Sequence, residues 1–320
     1  MALSDHVHML GQELRIRHGT RVHKISVNAG FTCPNIDGRV GRGGCTFCNN
    51  RSFTPGINGP ESVAVQIERG RQVVKRRTGA QKFLVYFQAY TNTYADLQTL
   101  RSLYDAALRQ PDVIGLSIGT RPDCTPEPVL RLLHKYQDQG FDVWLELGLQ
   151  SAFDATLTRI NRGHGWEEYR SAVQAAHRLG LRVCTHLIAG LPGETSWHAE
   201  QTLARVIDLG VEGLKLHPLH VVRGTRLAHD WRSGAYRPLE QDAYVDTVAK
   251  LVQQTPDQVV YHRLTGTAKP PLLLAPDWCA HKWPVLNAIE AALATSSTCG
   301  AKVHGTGLSS RESALTESRG

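Results

Sequence analysis

No uninterrupted apolar run in the sequence approaches the roughly twenty residues that a membrane-spanning helix needs, so no such helix is expected. The opening MALSDHVHMLGQ lacks a positive segment followed by an apolar one, and it lacks a small-residue cleavage site. No secretory signal is therefore legible, and a cytoplasmic protein is expected. A fourth cysteine is missing where metal sites usually have one. Cys33, Cys45 and Cys48 lie within GFTCPNIDGRVGRGGCTFCNN, residues 30–50, separated by eleven and then two residues. Reducing surroundings keep thiols free, so this clustered trio out of seven cysteines reads as metal-binding or catalytic before it reads as a disulfide framework.

What is present is ordinary for a globular chain of 320 residues: 41% apolar and 20% charged. Such a chain buries a substantial core in one large domain, or in a barrel-sized domain with an appendage. The formal net charge of +7 suits a polyanionic partner such as RNA, and it equally suits a solvated basic surface.

Six β-branched apolar runs read as strands: 22–30, 82–90, 112–120, 142–150, 182–190 and 211–219. Segments with helical spacing of apolar residues lie between them, at 62–77, 96–109, 126–139, 166–179 and 196–209. Gly140, Gly180 and Gly210 each suit the left-handed position that ends a helix. The alternation predicts an α/β fold, a partial (β/α)6 TIM-like barrel with a small C-terminal accessory region. The long strand-to-helix segments share one face, where barrel active sites are assembled. The expected organisation is a basic N-terminal extension (1–21), the partial barrel (22–222), the accessory region (223–295) and a disordered tail (296–320). The accessory region should hold helices at 239–253 and 284–294 and a short strand at 256–265.

Two chemistries fit the cysteine loop. A structural zinc wants four ligands, with His23 the nearest candidate for the fourth, although His23 sits at the far end of a strand from the loop. A cubane iron–sulfur cluster held by three thiolates keeps one iron open to a small molecule. The clustered glycines let the backbone wrap closely around either one.

GFTCPN, GRGGCTFC, GTRPD, ELGLQS, INRGH, HLIAGLPGET and HRLTG together resemble one bacterial family of radical S-adenosylmethionine (SAM) enzymes, over about residues 20–295. The barrel is also similar to those of the elongator catalytic subunit and oxygen-independent coproporphyrinogen oxidase. The resemblance implies a [4Fe–4S] cluster on Cys33, Cys45 and Cys48, SAM as second cofactor, and reductive SAM cleavage to a 5′-deoxyadenosyl radical. It implies that Gln150 meets the SAM ribose, that Arg162 pairs with the SAM carboxylate, and that the turn Gly190, Leu191, Pro192, Gly193 presents backbone to the adenine. Glu146, inside an apolar strand, needs a partner, either SAM or a basic neighbour. His186 stands where coproporphyrinogen oxidase has an acidic residue. A Gly-Gly-Glu-like segment is replaced by Gln88, Ala89, Tyr90, Thr91 and Asn92, with Asn92 a candidate substitute for the lost contact to the SAM amino group. Arg121 and Asp123 either contact ligand or lock a turn. Cys124, Cys184 and Cys279 read as small buried residues, Cys279 with an outside chance of reactivity, and Cys299 falls in the tail.

The resemblance, with the charge, implies tRNA as substrate, at the C5 side chain of the wobble uridine, and an external reductant such as flavodoxin or ferredoxin. LRIRHGTRVHK and Lys75-Arg76-Arg77 add basic residues, but no RNA-binding module is legible. Two alternatives stand beside this: a radical SAM reaction on a small molecule such as a tetrapyrrole, and a non-catalytic, zinc-stabilised RNA-binding protein.

Overall fold

A computed structural model describes residues 3–49 and 61–301, with residues 296–301 as backbone only. Helix α1 (Leu10–His18) precedes strand β1 (Val22–Val27). Then α2 (Val63–Thr78), β2 (Lys82–Phe87), α3 (Leu97–Leu108), β3 (Val113–Thr120), α4 (Glu127–Asp138) and β4 (Asp142–Gln150) alternate. A short α5 (Asp154–Arg159) intervenes before α6 (Trp166–Arg178), β5 (Arg182–Ala189), α7 (Ser196–Asp208) and β6 (Gly213–Pro218). The C-terminal part adds β7 (Val221–Val222), α8 (Arg226–Arg232), α9 (Gln241–Gln254), β8 (Val260–Arg263), β9 (Leu273–Ala275) and α10 (Lys282–Ala301).

The strands read as apolar runs because a parallel sheet with helices outside is buried on both faces. In β4 every residue before Gln150 is buried. The helices begin and end where local chemistry dictates. The Asp96 carboxylate accepts from the Thr99 backbone N–H at 2.9 Å and caps α3. Gly140, Gly180 and Gly210 all have the expected positive φ at helix ends.

The partial barrel is as expected, with one addition. β8, expected within the accessory region, pairs in parallel with β6 and gives the sheet the order β1-β2-β3-β4-β5-β6-β8, seven strands. β7 and β9 form a separate antiparallel pair.

Helix α1 lies against both edges of the sheet. Leu10 and Leu14, one turn apart, pack with Val22 of β1 and Val260 of β8 in one buried cluster. Each such leucine contributes about 2 kcal/mol of apolar burial. The N-terminal segment therefore plugs the gap in the barrel, and its basic residues are less free than the sequence suggests. Arg17 bonds Glu13 and Asp142, His18 bonds Asp142, and Arg21 bonds the Thr78 carbonyl. Helix α10 runs through residue 301, past the expected 294. The remainder of the expected tail lies outside the described residues. No helix among the described residues is long and apolar enough to cross a membrane.

Candidate active site

The cysteine loop follows β1 and is folded against the turn after α5. The Thr46 N–H donates to the Ile160 carbonyl at 2.9 Å, and the Asn161 side chain donates to the Gly44 carbonyl at 2.7 Å. The Arg162 guanidinium then reaches Cys45 Sγ at 3.4 Å and the Gly148 carbonyl at 2.6 Å. INRGH thus acts as a clasp on GGCTFC. Asn35, fully buried, adds a second donor, with Nδ2 3.7 Å from Cys45 Sγ and 2.6 Å from the Asn161 carbonyl.

Cys33, Cys45 and Cys48 line one cavity of ≈ 200 Å³ together with Gln150, Arg162, Glu146 and His186. Burial pushes the Cys48 thiol up to about 12, the nearby Cys45 and Cys33 sulfurs add to this, and Arg162 works against it. Among the described residues, Glu146, Cys184 and His186 form a separate group whose ligand atoms all lie within 4.8 Å of one another. The two N–H donors aimed at Cys45 suit a metal-bound sulfur, as in a cluster held by thiolates. His23 turns to the Lys24 carbonyl, 2.9 Å away, and is not part of the cavity wall.

Gln150 closes β4 at φ +79°, beside a register shift at Gly148–Gln150. A non-glycine residue held there is a strained position of the kind found at functional sites. Tyr90, φ +63° and 39% exposed, also lines the cavity.

Glu146 is completely buried and is the hub of the deeper part of the cavity. Lys215 donates to it at 2.7 Å, Lys24 and the Ser117 hydroxyl also donate to it, and His186 and His262 lie 2.7 and 3.3 Å away. Burial alone would raise its pKa, but Lys215 and Lys24 outweigh burial and hold the carboxylate well below its usual range. Burial pushes Lys215 down to about 8 against the pull of Glu146. His186 is pushed down to about 4, by burial first and then by Lys215, so it is neutral near pH 7. The Glu146–Cys184–His186 group makes a poor metal site, because two ammonium groups already occupy the carboxylate. Glu146 therefore meets basic neighbours from β1 and β6, the second of its two expectations.

Arg121 and Asp123 form a two-pronged pair at 2.8 Å, and Arg121 also donates to the Arg162 carbonyl at 2.8 Å. The pair locks the turn and braces Arg162. Asn92 does not face the cavity. It is fully buried and its side-chain amide donates to the Gly119 carbonyl at 2.7 Å. The turn at 190–193 also lies outside this cavity's wall. Leu191 is buried, the Gly190 carbonyl accepts from Tyr236 at 2.9 Å, and the Pro192 carbonyl accepts from Arg159 at 2.6 Å. Cys124, Cys184 and Cys279 are buried, and burial raises all three thiols, Cys124 and Cys279 to about 12, so Cys279 is not poised to react. Sequence reading missed Lys24, Asn35, Lys215 and Arg263. Asn35 and Arg263 lay inside quoted motifs, Lys24 was read only as added basic charge in LRIRHGTRVHK, and Lys215 carried no signal.

A seven-stranded parallel partial barrel with three cysteines lining one cavity among the described residues has the architecture of a β/α-barrel enzyme. The chain belongs to the radical SAM superfamily, whose model matches residues 36–206, and the Radical_SAM C-terminal domain matches residues 211–295. The family uses a [4Fe–4S] cluster and SAM, and the chain is a radical SAM enzyme. It is 49% identical over 283 residues to Protein YhcC of Escherichia coli (strain K12), covering 88% of this chain and 91% of that protein. It is 27% identical over 140 residues to a tRNA uridine(34) acetyltransferase of Methanocaldococcus infernus, covering 42% of this chain and 25% of that protein. The structure of Elp3 from the same archaeon shares the fold, with a TM-score of 0.58 at 18% identity, covering 87% of this chain and 63% of that one.

Proposed function

We propose that this enzyme modifies tRNA, at the C5 side chain of the wobble uridine, with Cys33, Cys45 and Cys48 as ligands of its cluster. The observation that carries the tRNA substrate is the likeness to a protein whose name assigns it to tRNA uridine 34. The charge of the rim supports it. Arg42 and Arg226 are exposed beside the cysteine loop with no ion pair among the described residues, and phosphate contacts use such groups.

When bound, cluster and SAM supply a carbon-centred radical after one-electron reduction from an external donor such as flavodoxin or ferredoxin. The chain's own residues bind and orient. Arg162 spans Cys45 and the β4 carbonyl, and its buried Nε has no hydrogen-bond partner among the described residues. That spare donor suits the SAM carboxylate. Gln150, held at positive φ over the same cavity, is placed for a ribose hydroxyl. Glu146 accepts from Lys24 and Lys215 and holds His186 in place, rather than touching SAM itself. The turn 190–193 would reach the adenine only by backbone, from beyond the wall of this cavity.

Nucleoside mass spectrometry of tRNA from a strain lacking the gene tests the reading. Loss or accumulation of one modified wobble uridine is expected. An unchanged nucleoside profile would count against tRNA, while leaving the radical chemistry standing.

A further inference from the structure

HRLTG, residues 262–266, ends β8 inside the cavity, and the chemistry above does not use its arginine. Four cations line that cavity. Arg121 is paired with Asp123, Arg162 is bonded to Cys45 and Gly148, and Lys215 is bonded to Glu146 and the Tyr86 hydroxyl. Arg263 is different. It has neither a hydrogen bond nor an ion pair with any described residue, although it is only half exposed and sits on the cavity wall.

Its neighbours sharpen the point. Arg263 is the register partner of Lys215 across β6 and β8, so the two side chains leave the same face of the sheet. His217, two residues beyond Lys215, leaves that face as well and also lines the cavity. Burial first, and then Arg263, holds His217 well below its usual pKa, so it is a neutral ring with one N–H to donate. Among the described residues Glu146 is the sole carboxylate in the cavity wall, and Lys215 and Lys24 already share it. A guanidinium with five N–H donors, beside an ammonium and a neutral imidazole, has no counter-anion within the described protein.

We infer that Arg263, with Lys215 and His217, forms a docking site for an anionic group of the molecule on which the radical acts, a carboxylate or a phosphate. The site is separate from Arg162, which is tied to the cysteine end. It would hold the substrate by its charged end, leaving the rest of the molecule free in the cavity between Arg263 and the thiols. Arg263 is a binding residue in this scheme, and no proton or electron passes through it. The inference rests on the radical SAM reading of this cavity, and it does not depend on tRNA as the substrate.

The test uses the reconstituted holoenzyme saturated with SAM, titrated calorimetrically with N-acetylglycine in one arm and methyl phosphate in the other. One of the two probes is expected to bind, and the responding arm separates carboxylate from phosphate. Arg263→Gln should weaken that binding by at least about tenfold, and Arg263→Lys should restore part of it. SAM affinity, measured in parallel, should move by less than about twofold. The inference is overturned if neither probe binds, if R263Q binds the probe as wild type does, or if R263Q weakens SAM as much as the probe. The last result would make Arg263 a SAM ligand. Should R263Q fail to fold, wild-type crystals grown with SAM and soaked in the responding probe decide the matter. The anion is expected on the Arg263 guanidinium, and an anion bound elsewhere refutes the assignment.

Discussion

Replacing Glu146 by Gln tests whether the centre of the barrel is organised around one buried charge. The substitution keeps volume and removes the carboxylate that Lys24, Lys215, Ser117, His186 and His262 all face. Lys24 and Lys215 bond opposite oxygens of Glu146, so in E146Q one of the two ammonium groups would confront an amide NH₂, and Lys215 is only 4% exposed at its side chain. Breaking a buried pair from one side costs about 3–5 kcal/mol. At about 2 °C per kcal/mol for a chain of this size, the midpoint of thermal unfolding should fall by about 6–10 °C. The double variant Glu146→Gln, Lys215→Met removes both charges, and should melt above E146Q and well above the sum of the two single losses. Circular dichroism melts of the four proteins supply the whole cycle. A single variant within about 1 °C of wild type, or strictly additive losses, would refute the idea that carboxylate and ammonium act as one unit.

Two other perturbations follow from the geometry. A Cβ on Gly148 would stand 2.7 Å from Arg162 Nη2, which donates to Gly148's own carbonyl while Nη1 of the same guanidinium reaches Cys45, and 2.8 Å from the Gln150 amide. Gly148→Ala should therefore weaken SAM binding by about tenfold or more while the iron content stays near that of wild type; unchanged SAM affinity would remove Arg162 from the SAM site. At the opposite end of β4, burial works to raise the pKa of Asp142, but Arg182, His18 and Arg17 outweigh it and hold it below the usual range. Its folded value lies below its unfolded one, near 3.9, so its stabilisation is full above about pH 4 and is lost as pH falls through the folded value. Urea unfolding midpoints between pH 2 and 6 should decline less steeply for Asp142→Asn than for wild type, and equal slopes would contradict the assignment.

The barrel was legible because its physics is local. Strands β2, β3, β4 and β6 are buried almost throughout and, with the less buried β1 and β5, announce themselves as apolar runs, and the helices between them carry one apolar stripe each. β8 was read as a strand, but four residues cannot reveal which sheet they join. Helix α1 escaped notice because LGQELRIRH shows only Leu10 and Leu14 as its buried face amid charged residues. The site divides in the same way. Three cysteines close together in sequence mark a candidate ligand set without any structure. The partners of Glu146 do not, since Lys24, Lys215 and His262 lie 122, 69 and 116 residues away and only the closed sheet brings them together. Arg263 was quoted within a motif, yet its lack of a partner is visible only once every other cation in the cavity has been matched.

The central claim is that three thiolates hold a cluster with one iron left open to SAM. Anaerobic reconstitution with iron and sulfide, followed by reduction with dithionite in the presence of SAM, tests it most directly. Wild type should take up about four irons per chain and release 5′-deoxyadenosine, and Cys45→Ala should lose both properties. One zinc per chain, no iron–sulfur absorbance and no 5′-deoxyadenosine would contradict the account.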